Sequence, residues 1–154
     1  MFKEMRRKDR EVGREDTINL LEKGQYGVLS TVGENGYPYG VPVNYVYAGG
    51  GIYFHCAVEG AKVDNILFNN KVSFCVVGDT APVPEKFSFK YESAIVFGKC
   101  AEVFEKEKTD ALLALVRKYS AGFMEKGMKY IDNDSSKTKV FKIDIEHISG
   151  KVRM

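Results

Sequence analysis

Histidine is scarce in this chain of 154 residues, which has only His55 and His147. With no CxxC pair and no supporting histidine spacing, neither fits a metal centre, and no metal is expected. Cysteine is nearly as scarce. Cys56, Cys75 and Cys100 are odd in number, far apart and each set in an apolar run. That pattern excludes a disulfide framework and reads as buried thiols in a reducing compartment, so a cytoplasmic location is expected. No apolar run approaches the roughly 18 residues of a membrane helix, and "MFKEMRRKDREVG" is charged throughout, so neither a span nor an export signal is expected. An excess of one charge is missing too: 23 Lys and Arg face 21 Asp and Glu, a net of +2. So small a charge argues against nucleic acid or an anionic membrane as partner, and any anion has to be held locally.

What is present fits one domain, residues 1–154, with 44% hydrophobic and 12% aromatic residues to build a core. "REDTINLLEKG" reads as a short helix stopped at Gly24, and "GAKVDNILFNN" places Val63, Ile66 and Leu67 on one helical face. "EKEKTDALLALVRKYS" does the same with Leu112, Leu115, Val116 and Tyr119. Between them, "YGVLSTVGENGYPYGVPVNYVYAGGGIYFHCA" reads as three strands, with Asn35-Gly36 as a type I′ hairpin signal and Gly49-Gly50-Gly51 as a second tight connection. "KVSFCVVG" is a further strand, "GDTAPVPEKF" a loop because of its prolines, "SFKYESAIVFGKCAEVF" two strand lengths, and "TKVFKIDIEHISGKVRM" a closing strand. Six or so strands joined mostly by hairpins favour a mainly β fold, an antiparallel barrel with a few peripheral helices, over a parallel sheet. The glycine fingerprint of a dinucleotide fold is absent, since Gly49–Gly51 precede a strand and open no helix.

"YFHCAVEGAKVDNI" runs from a strand carrying His55 through Gly60 into Lys62 at a helix start. Free amides, the helix dipole and an ammonium would converge there, a combination that suits a phosphate. At an arbitrary strand–helix junction a solvated lysine and a core or rim histidine are the commoner explanation of such residues, and spacing alone does not settle the matter.

The order of "MRRKDREV", "YGVLSTVGENGYPYGVPVNYVY", "IYFHCAVEGAKVDNI", "KVSFCVV", "KFSFKYESAIVFGKC" and "IEHISGKVR" resembles the nitroimidazole-resistance proteins, within the pyridoxamine 5′-phosphate oxidase-like flavin-binding group. The resemblance implies a split β-barrel that binds FMN non-covalently, as a homodimer with the flavin in the cleft between subunits. Carried over by motif, Lys62 would hold the phosphate with Ser93 nearby, and Asn44 with Val43 and Tyr45 would lie along the isoalloxazine edge. His55 would stand by the flavin and a small-molecule electron acceptor as the catalytic proton donor. Asn44 as a turn cap, Tyr45 as core and His55 as a rim residue remain open. Arg6 and Arg7 read as solvated charge, His147 as a surface residue, and Lys151 and Arg153 stay unassigned. The chain has no tryptophan and ends in "ISGKVRM", so the substrate-binding tail of the vitamin B6 oxidases is not recognisable. The function expected is FMN-dependent reduction of a small electrophile such as a nitro-aromatic. The alternatives are a non-catalytic flavin-binding or sensing module, a haem- or deazaflavin-binding member of the same fold, and an RNA-binding barrel, the last disfavoured by the near-neutral charge.

Overall fold

Period-two alternation writes most of the structure. The computed structural model describes all 154 residues, and its strands are β1 (Glu11–Val12), β2 (Gly27–Val32), β3 (Pro38–Val43), β4 (Val46–Ala48), β5 (Gly51–Ala57), β6 (Lys71–Val83), β7 (Ser88–Val103) and β8 (Thr138–Arg153). Along β7 the residues Ala94, Val96 and Cys100 point inward and are buried, while Ile95 and Phe97 point out. The helices are α1 (Arg14–Lys23), α2 (Ala61–Phe68), α3 (Glu105–Tyr119) and α4 (Met124–Asp134). None is long and apolar enough to cross a membrane.

All pairing is antiparallel, in the order β3-β2-β6-β7-β8-β5-β4, with β1 beside β8. The two unpaired edges, β3 and β4, are consecutive in the chain and joined only by Asn44 and Tyr45. Three Cα steps reach at most about 11 Å, so the sheet has to curl until its edges face each other. They do not pair, and the result is an antiparallel split barrel, as the strand count and hairpins implied. Seventeen buried residues fill it, among them the fully buried Tyr45, Phe54, Phe74 and Phe141. The Tyr45 ring meets Phe74 edge-on at 5.0 Å, and Phe54 stacks on Phe141 at 5.7 Å. A smaller cluster on the outer wall, including Val103, Leu112, Leu115, Ile131 and Val140, seats α3 and α4.

The structure differs from the sequence reading in four places. β6 continues through Gly78–Val83 instead of looping there, past a bulge between Val77 and Thr80; β2 covers it only at Ser73–Cys75, so Pro82 lies in an edge stretch where no ladder donor is needed. The two strand lengths after it are one strand, β7. The turn before β3 bonds the Gly36 amide to the Gly33 carbonyl with Gly36 alone at positive φ, so it is not type I′. Gly49 and Gly50, at φ 56° and 78°, form the two-residue loop of that hand instead. Finally, α4 was not foreseen. Met124, Met128 and Ile131 recur at i, i+4 and i+7, but only Ile131 is buried, and the helix packs on α3 because Gly127 leaves space for Val116.

Candidate functional site

Alternation in β5 decides where His55 points. Ile52 and Phe54 face the core, and Phe54 stacked on Phe141 locks the register that sets His55 opposite Val140. His55 therefore leaves the barrel on its outer wall, exposed at the margin of the layer formed by α3 and α4. Desolvation of the part of the ring packed at that margin first, and the Lys62 ammonium second, hold its imidazole below the ordinary value of 6.5.

Lys62 reaches that neighbourhood because the chain turns at Gly60, whose φ of 144° favours glycine, and enters α2 at Ala61. No side chain caps this helix, and its first backbone bond runs from the Asp64 amide to the Gly60 carbonyl at 3.0 Å. The amides of Ala61, Lys62 and Val63 are thus left without helical acceptors. Val63 and Ile66 anchor α2 in the core, and the Asn65 side-chain Nδ2 donates to the Thr31 hydroxyl at 3.0 Å. Lys62 itself makes no ion pair. A fixed helix start with free amides and an unpaired ammonium has the chemistry to hold a phosphate dianion.

The crossing Val43–Asn44–Tyr45 contributes unequally. Val43 is buried at the end of β3, paired with Gly27. Asn44 is exposed, and its side-chain amide donates to the Gln25 carbonyl at 3.3 Å. The Tyr45 ring lies wholly in the core with its hydroxyl donating to the Leu21 carbonyl, so of the two readings left open for it the structure supports core. Its backbone is engaged as well: the Tyr45 amide donates to the Tyr119 hydroxyl at 3.1 Å, and its carbonyl accepts from Lys118 Nζ at 3.0 Å. Burial pushes Lys118 down to about 8, while the Tyr45 ring face, 3.9 Å from its Nζ, favours the charge.

Asn44 and His55 line one groove of about 480 Å³. Its other wall comes from the end of α3 and from α4, with Tyr119, Ser120, Phe123, Lys126 and Tyr130. Sequence reasoning missed these. Phe123, Gly127 and Tyr130 do recur at the i, i+4, i+7 spacing of one helical face, but that face is not buried. Ser93 is not brought to this groove. It lies on the outer face of β7, in a second concavity with Phe97, His147 and Lys151, and His147 stacks beneath Phe2 at 4.8 Å, a contact that alternation alone did not suggest.

Solved structures share this architecture. A candidate 5-nitroimidazole antibiotic resistance protein from Bacteroides thetaiotaomicron is 25% identical, with a TM-score of 0.79 over 92% of this chain and 86% of that one. A FAD-binding protein from Mesorhizobium loti is 22% identical, TM-score 0.67, over 94% and 98%. A FAD- and heme-binding protein from Mycobacterium smegmatis is 19% identical, TM-score 0.80, over 93% and 73%. No curated protein matches by sequence. The family model for pyridoxamine 5′-phosphate oxidase matches residues 13–152, nearly the whole split barrel. The chain therefore belongs to the pyridoxamine 5′-phosphate oxidase family.

Proposed function

We propose that this chain is an FMN-binding oxidoreductase that reduces small electrophiles such as nitro-aromatics. The observation that carries the reading is the uncapped start of α2, where three free amides and the unpaired Lys62 stand beside His55. A dianion matches that cradle in charge and in donor geometry. Asn44, in the same groove as His55, offers an amide to the edge of a planar ring, while Val43 and Tyr45 act as the buried struts that fix its place. FMN, when bound, supplies the electrons.

The chain's own residues do the rest. Lys62 and the α2 amides bind and orient the phosphate; Asn44 donates from a segment held by Tyr119 and Lys118. His55 is the proton donor, its Nε2 or Nδ1 hydrogen going to the acceptor as that group gains charge. Lys62 opposes that protonation, so a phosphate dianion neutralising Lys62 raises the share of imidazolium.

Ser93 enters through a partner. It lies on an outward stripe with the half-exposed Ile95 and Phe97, across from Cys75 and Val77. Such an apolar face fits a second copy of the chain, whose Ser93 would then complete the cleft of a homodimer. The decisive experiment is to purify the chain without added cofactor and identify any yellow chromophore by mass; a colourless protein that also ignores added FMN refutes the reading.

A further inference from the structure

We propose that the wall of the Asn44–His55 groove built by α3 and α4 binds a planar aromatic carboxylate, with Lys126 reading the charge and Phe123 and Tyr130 the ring. Charge distribution is the first observation. In a chain with 21 acidic residues, four of the five principal grooves contain a carboxylate: Glu4 and Glu11 in one, then Glu146, Glu107 with Asp110, and Asp79. The Asn44–His55 groove contains none, and its polar lining can donate from the imidazole, an amide, the Ser120 and Tyr130 hydroxyls and an ammonium, the Tyr119 hydroxyl being engaged with backbone carbonyls. Lys126 has no carboxylate partner.

Shape is the second observation. Phe123 and Tyr130 are 63% and 69% exposed although they flank a concavity, and Lys126 Nζ stands 6.0 Å from the Phe123 ring centroid. Flat apolar faces beside one ammonium match an aromatic ring bearing one negative group. Gly127 holds them in place, since a side chain there would collide with Val116 and lift α4 from α3. A phosphate is the poorer occupant here. Lys126 is the only ammonium lining the groove, and the α2 start with Lys62 beside it serves a dianion better.

The inference rests on the Asn44–His55 groove being the reacting site only in that the ligand then lies within reach of His55; its charge preference is measurable without flavin. The full chain, with and without added FMN, is titrated calorimetrically with 4-nitrobenzoate and with its neutral counterpart 4-nitrobenzamide. The acid should bind about fivefold or more tighter at low salt, the advantage shrinking as salt screens it. Lys126→Met should abolish the advantage, and Lys129→Met, an exposed lysine outside the groove, should keep it. Equal affinity for acid and amide, no binding of either, or a preference untouched by Lys126→Met overturns the inference. FMN uptake, followed separately by flavin absorbance, keeps the two readings apart. An acid preference without uptake supports this site and sinks the flavin function, while uptake without the preference does the reverse.

Discussion

The Tyr119 hydroxyl accepts the amide hydrogen of Tyr45 at 3.1 Å. One side chain from the end of α3 thereby caps the backbone exactly where the sheet has no strand to do so, between the free edges β3 and β4. The same oxygen lies 2.8 Å from the Gln25 carbonyl and 3.0 Å from that of Tyr45, either of which can take its single proton. Asn44, which donates to the same Gln25 carbonyl, is held by this arrangement.

Tyr119→Phe should therefore cost about 1–2 kcal/mol, since it strands polar backbone at the split. For a chain of this size the unfolding midpoint should fall by roughly 2–8 °C. Amide exchange at Tyr45 should quicken. Tyr39→Phe, on an exposed ring without a hydrogen bond in β3, should change neither, and equal effects of the two substitutions would contradict the capping role.

Lys62→Ala should weaken FMN by about 1.5–3 kcal/mol, the scale of a charge-assisted hydrogen bond, and leave riboflavin affinity nearly unchanged. Fluorescence titration with both ligands tests this. Equal losses would assign Lys62 to the fold or to the ring.

The His55 imidazole should titrate below 6.5 in the flavin-free chain, with Lys62→Met moving the midpoint up, as followed by NMR of the ring protons. Because its folded value is depressed, the unfolded chain binds more protons between that value and about 6.5. The contribution of His55 to stability is thus fully present above that window and declines as pH falls through it. A midpoint unmoved by Lys62→Met would separate the two residues.

His55→Ala should keep FMN bound yet slow reduction of a nitro compound by roughly 10²-fold, the scale of a lost general acid. Stopped-flow traces of fully loaded wild type and variant measure it. Rates agreeing within a small factor would make His55 a rim residue and favour a sensing role.

Ile95→Asp places a charge on the outward stripe without touching the core, since Ile95 is 40% exposed. Sedimentation should show dimers for the wild type and monomers for the variant, and FMN binding should weaken in the variant as the proposed contribution of a partner's Ser93 is lost. A wild-type monomer that binds FMN as tightly as the predicted dimer would remove Ser93 from the site.

Much of this was legible in the residues themselves. Alternation marks the strands because a half-buried ladder has to repeat every second residue, and the same rule put Tyr53 and His55 on the side of β5 away from Ile52 and Phe54. Apolar spacing marked α1, α2 and α3, and the local run from His55 to Lys62 placed the imidazole near the helix start before any tertiary contact was known. These features act over a few residues, so the sequence determines them alone.

The remainder depended on distant segments meeting. Asn44 and His55 share a groove only because the sheet order makes β3 and β4 its two edges, and the facing wall comes from residues 119–130, where Phe123 and Tyr130 stay exposed, so their spacing alone does not say which groove they face. Ser93 follows the same logic in reverse: its motif suggested nearness to Lys62, but although it and His55 both leave the outer face, the register sets Ser93 beside Lys151 and His55 beside Val140, far apart along β8, so Ser93 falls in another groove. Tertiary structure decided these positions, because which face of a barrel meets which helix is settled by curling and closure of the whole sheet, summed over many pairings that no short stretch of sequence contains.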